Sequence, residues 1–166
     1  IDKLRTEHAK PKKQSTRVHD GKVAVIGSGP AGLSLAYQLG LKEYRITIFE
    51  SMHKPGGMLT KCLPVHRLPK HIVDREIQFI EDLGVDMKTD TTIGKDLSFE
   101  QLWKKGYRAI FVGTGAHQSQ KLRIEGAQLE GVIDAVDFLW NLNSGEISIN
   151  AAALRIALYS CSWCGS

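Results

Sequence analysis

The chain has 166 residues, of which 42% are hydrophobic and 24% charged, a length and composition typical of one globular domain with its own core. No apolar run approaches the ~18 residues that a membrane-spanning helix needs, and no signal-peptide pattern opens the chain, so we expect a cytoplasmic protein with no membrane partner. Most of the formal charge of +4 lies in residues 1–20, which lack interleaved aromatic residues; we predict a basic linker after a helix end and no nucleic-acid binding.

Strands and helices are predicted to alternate after this linker. The β-branched run KVAVIG (22–27) predicts a buried parallel strand. Pro30 and Ala31 begin a helix that continues to about Leu39, with one face formed by Leu35, Ala36 and Leu39. RITIFE (45–50) predicts the next strand, and a loop rich in proline and glycine follows it.

The alternation continues in the second half of the chain. PKHIVDREIQFIEDLG (69–84) predicts a helix with Gly84 as its stop and with apolar residues at helical spacing, namely Ile72, Ile77, Ile80 and Leu83. VDMKTDTTIG (85–94) predicts one or two short strands. Ser98 and Gln101 then form a capping-box pattern that predicts the start of a short helix. YRAIFVGTGA (107–116) predicts a further strand, and DAVDFLWNLN (134–143) predicts a helix. We therefore predict an α/β fold with parallel βαβ units.

Three spaced glycines follow the first predicted strand. Gly27, Gly29 and Gly32 form G-x-G-x-x-G, in which the first glycine permits a tight turn, the second lets backbone approach a pyrophosphate, and the third lets helix pack on strand. The helix N-terminus offers N–H groups to the phosphates. Glu50 ends the second strand, where its carboxylate can accept hydrogen bonds from ribose hydroxyls and disfavours a 2′-phosphate. The pattern predicts a Rossmann-like site for NAD or FAD.

Further segments resemble the FAD-binding half of the glutamate synthase small-subunit family, which shares its module with dihydropyrimidine dehydrogenase and other NAD(P)H-dependent flavoproteins. The matching stretches lie within about residues 21–140 and are GKVAVIGSGPAGLSLAYQL, ITIFE, KPGGML, RLPKHIVDREI, LGVDMKTDTTIGKD and the VGTGA turn. The resemblance implies a Rossmann-like FAD/NAD(P)-binding fold. It also implies that residues 21–145 are the FAD-binding domain of an incomplete two-dinucleotide flavoprotein.

The resemblance also implies roles for particular residues. The glycine loop would hold the FAD diphosphate, Glu50 the adenosine ribose, Met58 would lie along the cofactor, Arg67 would contact its phosphates, and Ile93 would line the adenine pocket. Plain core packing is the alternative for Met58 and Ile93. The implied cofactor-binding residues are Gly27, Ser28, Gly29, Pro30, Ala31, Gly32, Glu50, Gly57, Met58, Arg67, Ile93, Gly113, Thr114 and Gly115; no catalytic or metal-binding residue is predicted.

In the complete enzyme, the resemblance implies hydride transfer from NAD(P)H to FAD and electron flow through the iron–sulfur clusters of a domain or subunit that lies upstream or acts in trans. The chain alone is then expected to be inactive. One segment departs from the family pattern and leaves the branch of the family open. Relatives commonly have Y-G-I-P-x-F-R-L-P, whereas this chain has Lys61-Cys62-Leu63-Pro64-Val65-His66-Arg67-Leu68-Pro69. A dihydropyrimidine dehydrogenase-type domain, a small NAD-dependent dehydrogenase fragment and a truncated non-catalytic module therefore stay open as alternatives.

The end of the chain does not follow the resemblance. Residues 146–166 are expected to be a divergent or non-native tail, and relatives would instead continue with a second glycine-rich unit for NAD(P)H. We therefore expect no NADPH binding in the family manner and weak retention of FAD. Cys161 and Cys164 form C-x-x-C, which supplies only two of the four ligands of a zinc site, and Cys62 as a redox partner of the flavin is a minor alternative.

Overall fold

The computed structural model describes residues 21–116 and 124–145. In these residues four parallel strands form one sheet in the order β3-β2-β1-β4, with β1 at Lys22–Ile26, β2 at Arg45–Phe49, β3 at Asp86–Lys88 and β4 at Tyr107–Val112. The helices are α1 (Pro30–Leu41), α2 (Met58–Lys61), α3 (Lys70–Asp82), α4 (Phe99–Lys104) and α5 (Ala135–Ser144). The predicted α/β fold with parallel βαβ units is confirmed.

The central strand β1 is buried on both faces, which is why its sequence is continuously apolar rather than alternating. Val23 and Val25 pack with the residues of α1, β2 and α3 on one face, whereas Ala24 and Ile26 pack with Leu102 of α4 on the other. β1 pairs with β2 up to Ile26 and Phe49, and with β4 up to Ile26 and Val112. The carboxyl ends of these three strands therefore meet at one edge of the sheet.

The buried faces of two helices differ slightly from the prediction. α1 buries Gly32, Leu33, Ala36 and Gly40, while Leu35 and Leu39 are only partly buried against the same core. α3 buries Val73, Ile77 and Ile80, so that Ile72 and Leu83 lie at the border of its apolar face. The small residues of α1 let the helix approach its neighbours closely, and a Cβ at Gly40 would already lie 3.3 Å from Leu83 Cβ.

Several local predictions are confirmed in the part of the chain that the structure describes. Ser98 and Gln101 form a capping box at the start of α4, and α3 stops before Gly84, whose φ is +85°. VDMKTDTTIG forms the three-residue β3, followed by an isolated bridge between Ile93 and Leu97. The short helix α2 was not predicted. The basic linker at 1–20, and the tail with Cys161 and Cys164, lie outside the described residues.

None of the helices within residues 21–116 and 124–145 is long and apolar enough to cross a membrane.

Candidate functional site

The ends of β1, β2 and β4 are tied together around Gly27. The Gly27 N–H donates to the Phe49 carbonyl (2.8 Å), and the Gly113 N–H donates to the Ile26 carbonyl (2.8 Å). Gly27 has φ +97°, and a Cβ there would lie 2.5 Å from the Gly113 carbonyl oxygen and 3.2 Å from Thr114 Cα. Gly27 is therefore required by backbone conformation and by the close approach of the VGTGA turn.

The other two glycines of the pattern have different surroundings. A Cβ on Gly32 would lie 2.0 Å from the Gly27 carbonyl oxygen, so Gly32 allows α1 to pack directly on the loop. A Cβ on Gly29 would meet no atom of the described residues within 4 Å. Gly29 is the N-cap of α1, and no side chain of the described residues caps that helix. The N-terminus of α1 thus faces an open, uncapped space that suits an anion.

A second glycine turn borders the same open space. Gly57 has φ +53° and precedes α2. A Cβ on Gly57 would lie 3.0 Å from Gly29 Cα, so the two backbones run side by side. Gly57 therefore lets the turn before α2 approach the glycine loop, because a side chain at this position would contact Gly29.

Glu50 and Ser28 form a buried network beneath the loop. Ser28 is fully buried and Glu50 is 6% exposed. Glu50 Oε2 accepts hydrogen bonds from the Ser28 N–H (2.9 Å) and the Ser28 hydroxyl (2.5 Å). Glu50 Oε1 accepts from the Met52 N–H (2.9 Å) and the Ser51 hydroxyl (3.2 Å). The Ser28 hydroxyl in turn accepts from the Gly56 N–H (3.0 Å). Ser28 thus joins the glycine loop, the acid and the second glycine turn.

This network sets the pKa of Glu50. Burial alone would raise the pKa of this carboxyl, but the hydrogen bonds from Ser28, Met52 and Ser51 outweigh burial and hold the pKa below its ordinary value. Glu50 is therefore an anion at neutral pH, although it lies in the protein interior. A group with a depressed pKa in the folded state stabilises the fold above its unfolded pKa, and this contribution is lost as the pH falls through the folded pKa.

We accordingly expect the free energy of unfolding to fall as the pH drops below about 4.5, the ordinary value for this carboxyl. Glu50→Gln should cost about 3 kcal/mol at pH 7, because an amide cannot accept all the hydrogen bonds of a carboxylate. The same variant should lose much of the acid sensitivity. Urea unfolding at pH 7, 5 and 4 measures both effects. The control is Glu130→Gln at an exposed glutamate, and an equal effect at both positions would contradict the assignment.

The remaining residues that were predicted to bind the cofactor have different surroundings. Met58, at the start of α2, is partly buried, and the Cys62 thiol lies 3.6 Å from its sulfur. Ile93 packs with the cluster formed by Ala24, Ile26, Phe49, Leu102 and Tyr107, which supports the core-packing alternative for that residue. Arg67 is exposed in the turn between α2 and α3. Gly115 continues the VGTGA turn with φ +72°. Binding roles for these residues stay predictions.

Sequence reasoning missed the side-chain role of Ser28 and the hydrogen bond that the Gly56 N–H donates to it. Ser28 was predicted as part of the diphosphate loop, but its hydroxyl points away from the open space and into the network with Glu50. A small hydroxyl residue between two glycines was the only available signal. Among the described residues, no three side chains of the metal-binding types lie together, and burial raises the pKa of the Cys62 thiol, which disfavours its thiolate.

Comparison with known proteins places this geometry in a family. The pyridine nucleotide-disulphide oxidoreductase family matches residues 21–146. The glutamate synthase [NADPH] small chain of Bacillus subtilis is 40% identical over 129 residues, covering 78% of this chain and 25% of that protein. The NAD-dependent dihydropyrimidine dehydrogenase subunit PreT of Escherichia coli O157:H7 is 42% identical over 139 residues, covering 82% of this chain and 33% of its own length.

A solved structure has the same fold. Mycobacterium tuberculosis FprA in complex with NADPH superposes with a TM-score of 0.64 at 24% identity, over 76% of this chain and 29% of that protein. The prediction of a Rossmann-like fold is thereby confirmed. The chain spans about a fifth to a third of the length of the first curated relatives it matches.

Proposed function

We propose, for a chain that belongs to the pyridine nucleotide-disulphide oxidoreductase family, that residues 21–145 bind FAD at the open space beside Gly29, at the N-terminus of α1, with the turn at Gly57 on its border. The observation that carries the proposal is the open position at Gly29, where a Cβ would meet nothing within 4 Å, although Gly27 and Gly32 are tightly packed. The chain thus leaves room where a diphosphate needs it and closes the loop elsewhere.

The residues present fit this group. The uncapped N-terminus of α1 offers backbone N–H groups and a partial positive charge to the diphosphate. Glu50, at the end of β2, is an anion beside the loop and favours an adenosine ribose without a 2′-phosphate. The turn at Gly56 and Gly57 supplies backbone without side chains along the rest of the cofactor.

The resemblance to the glutamate synthase small chain and to the dihydropyrimidine dehydrogenase subunit supports an electron-transfer role in a larger NAD(P)H-dependent oxidoreductase. Bound FAD would supply the redox chemistry by accepting a hydride from NAD(P)H and releasing electrons to an acceptor. The part of this chain is to bind and orient the cofactor. Iron–sulfur clusters in another domain or subunit are the acceptors that we propose.

Reconstitution of the purified chain tests this function. We expect near one bound flavin per chain at saturating FAD, with absorption bands near ~450 nm, and partial loss of the flavin on gel filtration, because the chain is expected to hold FAD weakly. NADH titrated in the same assay should compete poorly, because the proposal assigns the site to the flavin dinucleotide. Protein that stays colourless after incubation with FAD would contradict the proposal, and preferential binding of NADH would favour the small dehydrogenase.

A further inference from the structure

A second cavity lies outside the glycine loops. It has a volume of about 360 Å³ and is formed by the loop after β2, by α2, by the start of α3 and by the end of α5. Neither Glu50 nor any residue of the loop from Gly27 to Gly32 lines it. Its size is within the range of small-molecule sites, so the cavity can hold a ligand other than the dinucleotide.

The charge of this cavity is unbalanced. Lys54, Lys61 and Lys70 line it, whereas no aspartate or glutamate of the residues that the structure describes does. Within residues 21–116 and 124–145, no carboxylate forms an ion pair with any of these lysines. His53, also in the wall, is bound to Asp90 through Nδ1 at 3.1 Å. Lys61 is attracted by Glu50, which lies outside the cavity wall. The wall itself supplies no carboxylate to the three ammonium groups, and a bound anion would relieve their mutual repulsion.

The lysines come from different segments that α5 holds together. Asn143 Nδ2 donates to the carbonyl oxygens of Lys61 (2.8 Å) and Leu63 (3.0 Å). Lys70 Nζ donates to the Asn143 carbonyl oxygen (3.2 Å). Asn143 therefore holds α2 and the start of α3 at a fixed separation. Lys61 and Lys70 are thus placed in the cavity wall before any ligand arrives.

Trp140 of α5 forms a wall beside one of these cations. Lys61 Nζ lies 3.9 Å from the centre of the Trp140 ring, within the distance of a cation–π contact. Burial lowers the pKa of Lys61, because the ammonium has lost part of its hydration. An anion in the cavity would compensate for that loss, and its arrival would change the surroundings of the indole ring.

We propose that this cavity binds a small phosphate-bearing anion, independently of the dinucleotide, through Lys54, Lys61 and Lys70. Charge-assisted hydrogen bonds from several ammonium groups suit the oxygens of a phosphate. The anion is inorganic phosphate or the phosphoryl end of a small metabolite. The two sources share the same chemistry at the lysines and differ in whether an organic group fills the rest of the cavity.

Calorimetric titration of the full chain at constant ionic strength tests the proposal, with inorganic phosphate and glycerol 3-phosphate as the two probes. We expect Lys54→Met, Lys61→Met and Lys70→Met each to raise the apparent Kd about tenfold, as expected for one lost charge-assisted contact. Tighter binding of the ester than of phosphate would assign the site to a metabolite. Lys104→Met, at an exposed lysine of α4, is the control and should leave the Kd unchanged.

Two further arms separate this cavity from the dinucleotide site. Phosphate binding should persist in Gly29→Val and in the presence of saturating FAD, because no residue of the loop from Gly27 to Gly32 lines the cavity. Absence of any heat of binding, unchanged affinity in all three lysine variants, or loss of binding in Gly29→Val or with FAD would overturn the proposal. Because Lys54 makes no hydrogen bond or ion pair within the described part of the chain, its variant stays informative even if Lys61→Met folds poorly.

Discussion

Replacing Gly29 by valine is expected to weaken FAD binding on the order of 100-fold, or about 2.7 kcal/mol, while the unliganded protein stays folded. The side chain would enter the open space where the proposed diphosphate lies, and nothing in the described protein lies within 4 Å of its Cβ. Gly29 has φ −68°, which any residue can adopt. The loss of a small N-cap residue should change the free energy of unfolding by no more than about 1 kcal/mol.

Titration of each protein with FAD, followed by quenching of flavin fluorescence, measures the affinity, and urea unfolding without FAD measures stability. Gly21→Val is the matched control, because Gly21 lies at the opposite end of β1 and a Cβ there meets only Arg108 at 3.8 Å. That variant should bind FAD as the parent protein does. If Gly29→Val kept the parent affinity, the diphosphate would have to lie elsewhere, and the proposed function would lose the observation that carries it.

Gly32→Ala is expected to have the opposite effect and to destabilise the unliganded protein by about 2 kcal/mol, the difference between about 3 kcal/mol of overpacking and about 1 kcal/mol of better helix propensity. Its Cβ would lie 2.0 Å from the Gly27 carbonyl oxygen, and no side-chain rotation can relieve a clash with a backbone atom. Relief requires α1 to move away from β1, with loss of core packing around Leu33 and Ala36. Overpacking of this kind costs about 1–3 kcal/mol and occasionally more, which exceeds the gain of about 1 kcal/mol from alanine's better helix propensity.

Urea unfolding monitored by circular dichroism checks this prediction without any ligand. Gly40→Ala is the matched control in the same helix, because its Cβ would lie 3.3 Å from Leu83 Cβ, a contact that a shift of a few tenths of an ångström relieves. We expect that variant to change stability by less than about 1 kcal/mol. Equal stability of the two variants would show that α1 does not rest on the glycine loop.

The two glycine variants test different parts of one pattern. The spacing G-x-G-x-x-G predicted that Gly32 serves packing and Gly29 serves a ligand. The structure shows the close packing at Gly32, whereas the ligand role of Gly29 stays a prediction. The parallel direction of the strands and their burial could also be predicted, because long β-branched runs between helical segments leave few arrangements. These features depend on local pattern and chain direction, which a sequence displays directly.

The features that could not be predicted depend on three-dimensional fit. α2 has four residues, too few for a helical period to be recognised. The buried face of α3 includes Val73 instead of the predicted Ile72, because packing against α1 and Gly56 sets the rotation of the helix about its axis. The inward direction of the Ser28 side chain follows from the backbone angles of a loop with positive φ at Gly27, and no pattern of residue types encodes those angles.

The network around Glu50 has a consequence for how the proposed site selects its ligand. A carboxylate has about four acceptor positions, and all four are filled by Ser28, Ser51 and Met52 before a ligand arrives. A ribose hydroxyl can therefore enter only by exchange, and the exposed Ser51 hydroxyl, at 3.2 Å, is the partner most easily replaced. Such an exchange gives one hydrogen bond for another and adds little affinity. Glu50 would therefore favour ligands that donate hydrogen bonds and disfavour a second anion, whereas the backbone at Gly29 would supply the attraction for the diphosphate.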